Sequence, residues 1–153
     1  AVFEMDCDFS HNPDDLLRHT AEMEAGADVA VGSRYSKGVT VENWPMSRLL
    51  MSYCASRYVR IVTGMPVCDA TAGFVGYKRE VLAAIDFDRI EMVGYGFQIE
   101  MKYTAWKMGF RIGEVPIIFA DRTEGTSKMS GGIFGEAFFG VLALPFRTIA
   151  RKK

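Results

Sequence analysis

Two carboxylates one residue apart, Asp6 and Asp8, close the apolar run that opens the chain, Ala1-Val2-Phe3-Glu4-Met5. Carboxylates at the end of an apolar strand reach the crevice at the carboxyl edge of an α/β sheet, where ligands of such folds bind. Hard oxygen donors of this kind suit Mg²⁺ or Mn²⁺, with a diphosphate completing the coordination. A metal held there would neutralise the charge of a departing diphosphate. The same pair also reads as a solvated acidic turn ahead of a helix, and spacing does not choose between the two.

Four cations stand in or beside loops: Arg34, Arg48, Arg122 and Lys128. Guanidinium groups pair with phosphate through two parallel hydrogen bonds. Arg48 and Ser52 are four residues apart, so on a helix they share a face and would hold one phosphate together. Ordinary surface ion pairs are the alternative for each. Gln98 and Glu100 lie at a helix start beside Gly94 and Gly96, where a ligand can approach the backbone closely. They are candidates for sugar hydroxyls, and Glu100 serves equally well as a surface carboxylate.

These residues need a scaffold. Asn12-Pro13 reads as the cap and first position of a helix running to Ala25 and stopped by Gly26. Asp28 to Gly32 follows as a short buried strand, and strand–helix–strand with short links is the pattern of a parallel α/β sheet. After a polar loop from Lys37 to Pro45, a helix is expected from Met46 to Thr63, closed by Gly64 and Pro66. Thr71 to Tyr77 reads as extended, and Arg79 to Ile85 as a short helix. Phe97 to Met108 reads as a second long helix, Arg111 to Phe119 as an apolar strand, and Asp121 to Gly132 as a loop rich in charge, Gly and Ser. The stretch from Ile133 to Ile149 is strongly apolar but interrupted by Glu136 and Pro145, whereas a bilayer span needs ~20 apolar residues. Its aromatics and the cationic end Arg151-Lys152-Lys153 suit a helix lying in a membrane interface. A helix packed on the core, or a lead-in to membrane helices, fits the same pattern.

Composition sets outer bounds. With 153 residues, nearly half of them hydrophobic, the chain can bury one core. A net charge of −1 disfavours general nucleic-acid binding. Three cysteines, Cys7, Cys54 and Cys68, form no metal-ligand spacing and suggest a reducing compartment rather than a disulfide framework. No convincing catalytic histidine stands out: His11 and His19 read as surface or helix residues.

Taken together, Met5-Asp6-Cys7-Asp8-Phe9-Ser10-His11-Asn12-Pro13, Gly32-Ser33-Arg34-Tyr35, Asn43-Trp44-Pro45-Met46-Ser47-Arg48, Asp69-Ala70-Thr71-Ala72-Gly73-Phe74, Gly94 to Met101 and Ser127-Lys128-Met129-Ser130 resemble, in order, the motifs of the polyprenol (dolichol) phosphate mannosyltransferases. These are a branch of the GT-A glycosyltransferases of family 2. Each motif is modest alone; the ordered set covers nearly the whole chain. The resemblance implies an α/β GT-A domain, Rossmann-like with a mostly parallel sheet. It implies transfer of mannose from GDP-mannose to a polyprenyl phosphate, with inversion and with Mg²⁺ or Mn²⁺. Asp6 and Asp8 match the metal- and diphosphate-binding carboxylates. The family's frequent Gln at the next metal position is Ser10 here, a shorter ligand. Arg34, Arg48 and Ser52 match residues that grip the lipid phosphate, and Asp8, Arg34 and Arg48 are the catalytic candidates. Arg122 and Lys128 match the loop that closes over donor and acceptor phosphates, and Gln98 and Glu100 fall in the sugar-facing segment. Asp69 and Thr71 lie in a motif near the site, with no individual chemistry assigned.

Family members begin with a strand–helix–strand half that holds the guanine nucleotide. The expected organisation is therefore an incomplete GT-A catalytic domain at 1–132, lacking that half, and an amphipathic helix at 133–153. The partners implied are a nucleotide-sugar donor, a polyprenyl phosphate and a membrane surface on its cytoplasmic face, with no nucleic acid. A sheet edge left exposed would invite a second copy of the chain. Two other readings stand beside this one: a sister enzyme using another sugar nucleotide or acceptor, and a non-catalytic fragment or interaction module.

Overall fold

The computed structural model describes residues 1–120 and 131–152. In chain order the elements are β1 (Val2–Glu4), α1 (Asp15–Glu24), β2 (Val29–Ser33), β3 (Val41–Glu42), α2 (Met46–Thr63), β4 (Val75–Tyr77), α3 (Arg79–Ala84), α4 (Tyr95–Lys107), β5 (Ile112–Pro116), β6 (Phe119–Ala120) and α5 (Gly131–Ala143), with single 3₁₀ turns at Phe87–Arg89 and Leu144–Phe146.

A four-stranded sheet runs in the order β1-β4-β2-β5. β2 and β5 are parallel, while β4 lies antiparallel to both β1 and β2. Three strands therefore run one way and β4 runs the other. The carboxyl ends of β1, β2 and β5 meet the amino end of β4 at one edge. A small parallel pair, β3 with β6, sits beside this edge; the sequence had suggested only a loop at 37–45, because a two-residue strand carries no periodicity to read.

The two faces of the sheet are filled differently. Val29, Val31, Val75 and Tyr77 point into the main core with Val59, Ile99, Met101, Val141 and Leu144 from α2, α4, α5 and the turn after it. Every residue of β2 is buried. On the other face the strands carry small residues, and α1 packs on β2 and β5. A Cβ added at Gly32 would lie 3.2 Å from His19 Nε2, and one at Gly76 would lie 2.5 Å from Phe3 Cε1. Glycine at these positions is what admits the ring of His19 and that of Phe3. His19, a helix residue of α1, is thereby wholly buried, and His11, outside any helix, is 6% exposed and so neither the surface nor the helix residue the sequence suggested. Both rings pack on Phe74, with centroids at 5.0 and 4.2 Å. Burial lowers the pKa of each, so both favour the neutral form.

Helix boundaries follow local chemistry. The Asn12 side chain accepts the Asp14 amide (3.0 Å), and a tight first turn delays α1 to Asp15. α2 begins after extended Pro45 and ends at Gly64, whose φ of 71° is left-handed. α4 is the central helix: Gly96 and every residue from Gln98 to Ala105 are buried. α5 begins at Gly131 and contacts α4 and α2. It buries Val141, and Leu144 just beyond it, while leaving Phe139 and Phe146 at 70% and 90% exposure. The chain after it returns to the core, where the Asp86 amide donates to Ala150 O and the Lys152 amide to Ala84 O. Among the described residues no helix is long and apolar enough to cross a membrane.

Candidate active site at the carboxyl edge of the sheet

The edge where β1, β2 and β5 end and β4 begins gathers the polar residues singled out from the sequence. Asp6 and Asp8 lie in the turn after β1. Asp8 Oδ1 accepts both the amide (3.1 Å) and the hydroxyl (2.5 Å) of Ser10, which fixes the turn. Between them Phe9 holds a left-handed φ of 62° and is 90% exposed. That conformation is uncommon for a bulky residue, and such strain collects at functional sites. Asp6 faces the loop before β4, since a Cβ on Gly73 would stand 3.9 Å from Asp6 Oδ2. His11 lies within electrostatic reach of Asp6, Asp8 and Arg34 at once.

Arg34, just past β2, is buried and held by Asp69. Its Nε donates to Asp69 Oδ2 and its Nη2 to Asp69 Oδ1, both at 2.6 Å, and Nη2 also reaches Thr71 Oγ1 at 3.0 Å. The Arg34 amide donates to the same carboxylate at 3.0 Å. The guanidinium carbon lies 5.3, 5.4 and 5.6 Å from the ring centroids of Tyr35, Trp44 and Phe119. Arg34 thus enters the site pre-oriented, with Nη1 the part of the fork not engaged by Asp69 or Thr71. Asp69 and Thr71, left without roles by the sequence, are what set this guanidinium.

Asp69 is itself held from behind. Glu114 on β5 accepts the amides of Cys68 (2.9 Å) and Asp69 (3.1 Å). Lys102 on α4 donates to Ala72 O at 2.6 Å and is fully buried. Burial pushes the Lys102 pKa down to about 7. Neither residue stood out in the sequence. Glu114 reads as an exposed alternation in a strand and Lys102 as one charge on a helix, and nothing local marks Glu114 as half-buried or Lys102 as buried.

On the other wall, Arg48 stacks on Trp44 at 4.1 Å, and Ser52 accepts a hydrogen bond from Tyr35 Oη at 2.8 Å. Trp44 and Tyr35 therefore link the Arg48–Ser52 face of α2 to Arg34. Gln98 approaches from α4, donating from Nε2 to Glu4 Oε1 at 2.5 Å. Glu100 does not join this cluster. Its carboxylate accepts the amides of Glu91 (3.1 Å) and Met92 (2.8 Å) and lies 3.6 Å from Arg147 Nη1, on the far side of α4. Arg122 and Lys128 lie outside the described residues.

Comparison with known proteins decides the family. The sequence pattern described as "Glycosyl transferase family 2" matches residues 1–86, more than half the chain. The chain belongs to glycosyl transferase family 2. Its α/β sheet, with three strands in one direction and the polar cluster at their carboxyl ends, agrees with the Rossmann-like GT-A fold of a family 2 domain. The chain is 48% identical over 140 residues to a polyprenol monophosphomannose synthase of Mycolicibacterium smegmatis, covering 92% of this chain and 53% of that protein. It is also 48% identical over 140 residues to an undecaprenyl-phosphate mannosyltransferase of Micrococcus luteus, covering 92% and 57%. A dolichol-phosphate mannosyltransferase of Pyrococcus furiosus is 34% identical over 129 residues, covering 83% and 35%. The chain thus spans about half the length of the two bacterial relatives.

Among the described residues no three His, Cys, Asp or Glu side chains converge as a complete metal cage. Asp6 and Asp8 with Ser10 form an open set of oxygen donors. That fits Mg²⁺ or Mn²⁺, which bind through one or two carboxylates and take remaining ligands from substrate phosphates and water.

Proposed function

We propose that this chain supplies the metal-binding and acceptor-binding parts of a glycosyltransferase that moves mannose from GDP-mannose onto a polyprenyl phosphate. One observation carries the reading. At one sheet edge Asp6, Asp8 and Arg34 all lie within electrostatic reach of His11, and the Arg34 guanidinium is pre-oriented by Asp69 and Thr71, with Arg48 and Ser52 joined to it through Trp44 and Tyr35. The three mannosyltransferase relatives support the choice of sugar and of lipid phosphate.

The chemistry asks little of a base. A phosphate monoester has its second pKa near ~6, so at neutral pH its oxygen is already a nucleophile. Both histidines near the edge are buried, and neither is needed to remove a proton. Catalysis then rests on position and charge. Nη1 of Arg34 and the guanidinium of Arg48 hold the attacking phosphate, and the Tyr35–Ser52 hydroxyl pair bounds it on the α2 side. Asp6 and Asp8, with Ser10, would hold a divalent ion, which would supply positive charge to stabilise the leaving diphosphate. Displacement by the phosphate oxygen in line with that leaving group inverts the anomeric carbon. Arg122 and Lys128 are assigned to closure over the two phosphates, and Gln98 to the sugar side. Glu100, anchored to Glu91, Met92 and Arg147, contributes by holding the start of α4. The exposed aromatics Phe139 and Phe146 on and after α5 support contact with the membrane that carries the acceptor. The outer edge of β1 is a surface on which a second copy can pair.

The test is transfer of labelled mannose to a short polyprenyl phosphate by the protein that carries this chain. Transfer from GDP-mannose in Mn²⁺ is expected, with loss on chelation and a severe drop in turnover for Arg34→Ala while donor binding persists. Normal turnover of Arg34→Ala removes the acceptor role. Preference for a UDP-sugar donor transfers the assignment to a sister enzyme.

A further inference from the structure

We propose that Lys102 is a positioning residue: from beneath the site its ammonium holds the Asp69–Gly73 turn in the conformation that lets Asp69 orient Arg34. The proposal rests on the acceptor-site reading above only for its catalytic consequence.

The geometry is that of a turn clamped between two charges, the half-buried carboxylate of Glu114 and the fully buried ammonium of Lys102. Glu114 takes the amides of Cys68 and Asp69 at the start of the turn. Lys102 takes the carbonyl of Ala72 near its end, at 2.6 Å. Each residue flanking Ala72 touches the site. Thr71 Oγ1 accepts from Arg34 Nη2, and Gly73 lies against Asp6. A shift of Ala72 therefore moves the contact on Arg34 and the contact on Asp6 together.

A neutral donor would satisfy one carbonyl, so the use of a fully buried ammonium needs a reason. The charged groups facing Lys102 supply it: Asp69 from the turn itself, Glu4 at the end of β1, Glu114 on β5, and Arg34 past β2. Three carboxylates face two cations. Without Lys102, Arg34 would be the only cation among them, drawn toward all three instead of held in its pairing with Asp69. Gln98, one helical turn before Lys102, engages Glu4 on the same side of α4, so the two side chains fix the ends of the β1 and β4 connections from one helix. With its pKa near 7, the ammonium loses charge just above neutrality, and the clamp on the turn loosens as pH rises.

The test does not require a substrate. The signals to follow by NMR on this chain are the Arg34 Nε–H and the amides of Asp69, Thr71 and Gly73, from about pH 6 to about pH 9. In the wild type they should shift together, with the midpoint of the Lys102 side-chain titration. Protection of the Arg34 Nε–H against solvent exchange should fall about tenfold across that step, the equivalent of one net hydrogen bond. In Lys102→Met, which keeps the unbranched side chain to within one atom of its length and removes its charge, the step should vanish and the low protection should hold at every pH. Titration of Lys102 that leaves those signals still overturns the proposal, even if the Met variant does not fold. A second arm measures binding of farnesyl phosphate to the same proteins from about pH 6 to about pH 8, one unit either side of the midpoint. Signals that respond while the wild type binds no farnesyl phosphate leave the positioning role standing and remove the acceptor reading. Equal affinity and equal pH dependence in wild type and Lys102→Met refute the effect on the acceptor site.

Discussion

Asp69→Ala is the perturbation that reads most directly on the site. Asp69 is wholly buried, and its two oxygens accept from Nε and Nη2 of Arg34 at 2.6 Å and from the Arg34 amide at 3.0 Å. Arg34 is itself only 8% exposed, so in the variant its guanidinium keeps little access to water. Breaking a buried pair by removing one partner costs ~3–5 kcal/mol, because the surviving charge is left without compensation. A domain of this size holds roughly 5–15 kcal/mol in total, so about a fifth of its stability or more is at stake. With a urea slope of ~2 kcal/mol per molar, the unfolding midpoint should fall by about 2 M. Urea melts followed by circular dichroism measure this directly. The companion Arg34→Met/Asp69→Leu variant removes both charges and should recover most of the loss, with a coupling of ~2 kcal/mol or more between the sites. A cost below ~1 kcal/mol for Asp69→Ala, or strict additivity in the double variant, would refute the view that the pair is closed and mutually dependent.

Three further outcomes follow from the structure. The folded pKa of Lys102, about 7, lies below its unfolded value of 10.5, so the unfolded chain binds the extra proton between these values and stability rises with pH across that window. The difference in unfolding free energy between wild type and Lys102→Met should therefore move in favour of wild type from about pH 7 to about pH 10, by at most ~5 kcal/mol, and parallel profiles would contradict it. Glu100→Gln keeps an acceptor for the Glu91 and Met92 amides and loses only the part-exposed Arg147 contact, so it should cost ~1 kcal/mol or less, whereas Glu100→Ala strands two amides and should cost ~2–3 kcal/mol. In thermal melts Gly76→Ala forces a methyl to within 2.5 Å of Phe3 Cε1 and should destabilise by ~1–3 kcal/mol, and an unchanged melting temperature would mean that Phe3 yields freely.

What the chain's own residues determined is local. The extent of α2 was readable because Pro45 and Gly64 bound it, and the end of α1 because Gly26 stops it; these are steric properties of single residues. The carboxylates Asp6 and Asp8 and the cations Arg34 and Arg48 were readable as types placed at the ends of elements. Their convergence was not. It depends on the reversed strand β4, which carries Asp69 to Gly73 to the same edge as the ends of β1 and β2. No periodicity in three residues announces an antiparallel insertion. Burial was equally a tertiary matter. His11 and His19 look polar in sequence, yet His19 lies under the sheet because Gly32 leaves room there, and His11 is covered by Phe74 and Phe119. Gln98 and Glu100 are two apart and seemed to share a task, yet 100° per residue on α4 sends one toward Glu4 and the other toward Arg147. Asp6 and Asp8, the residues that first suggested a chemistry, were legible from their spacing; that they share a sheet edge with an arginine oriented by Asp69 and by a turn clamped between Glu114 and Lys102 was decided only when distant segments packed, since the energy of a buried charge depends on neighbours the linear order does not contain.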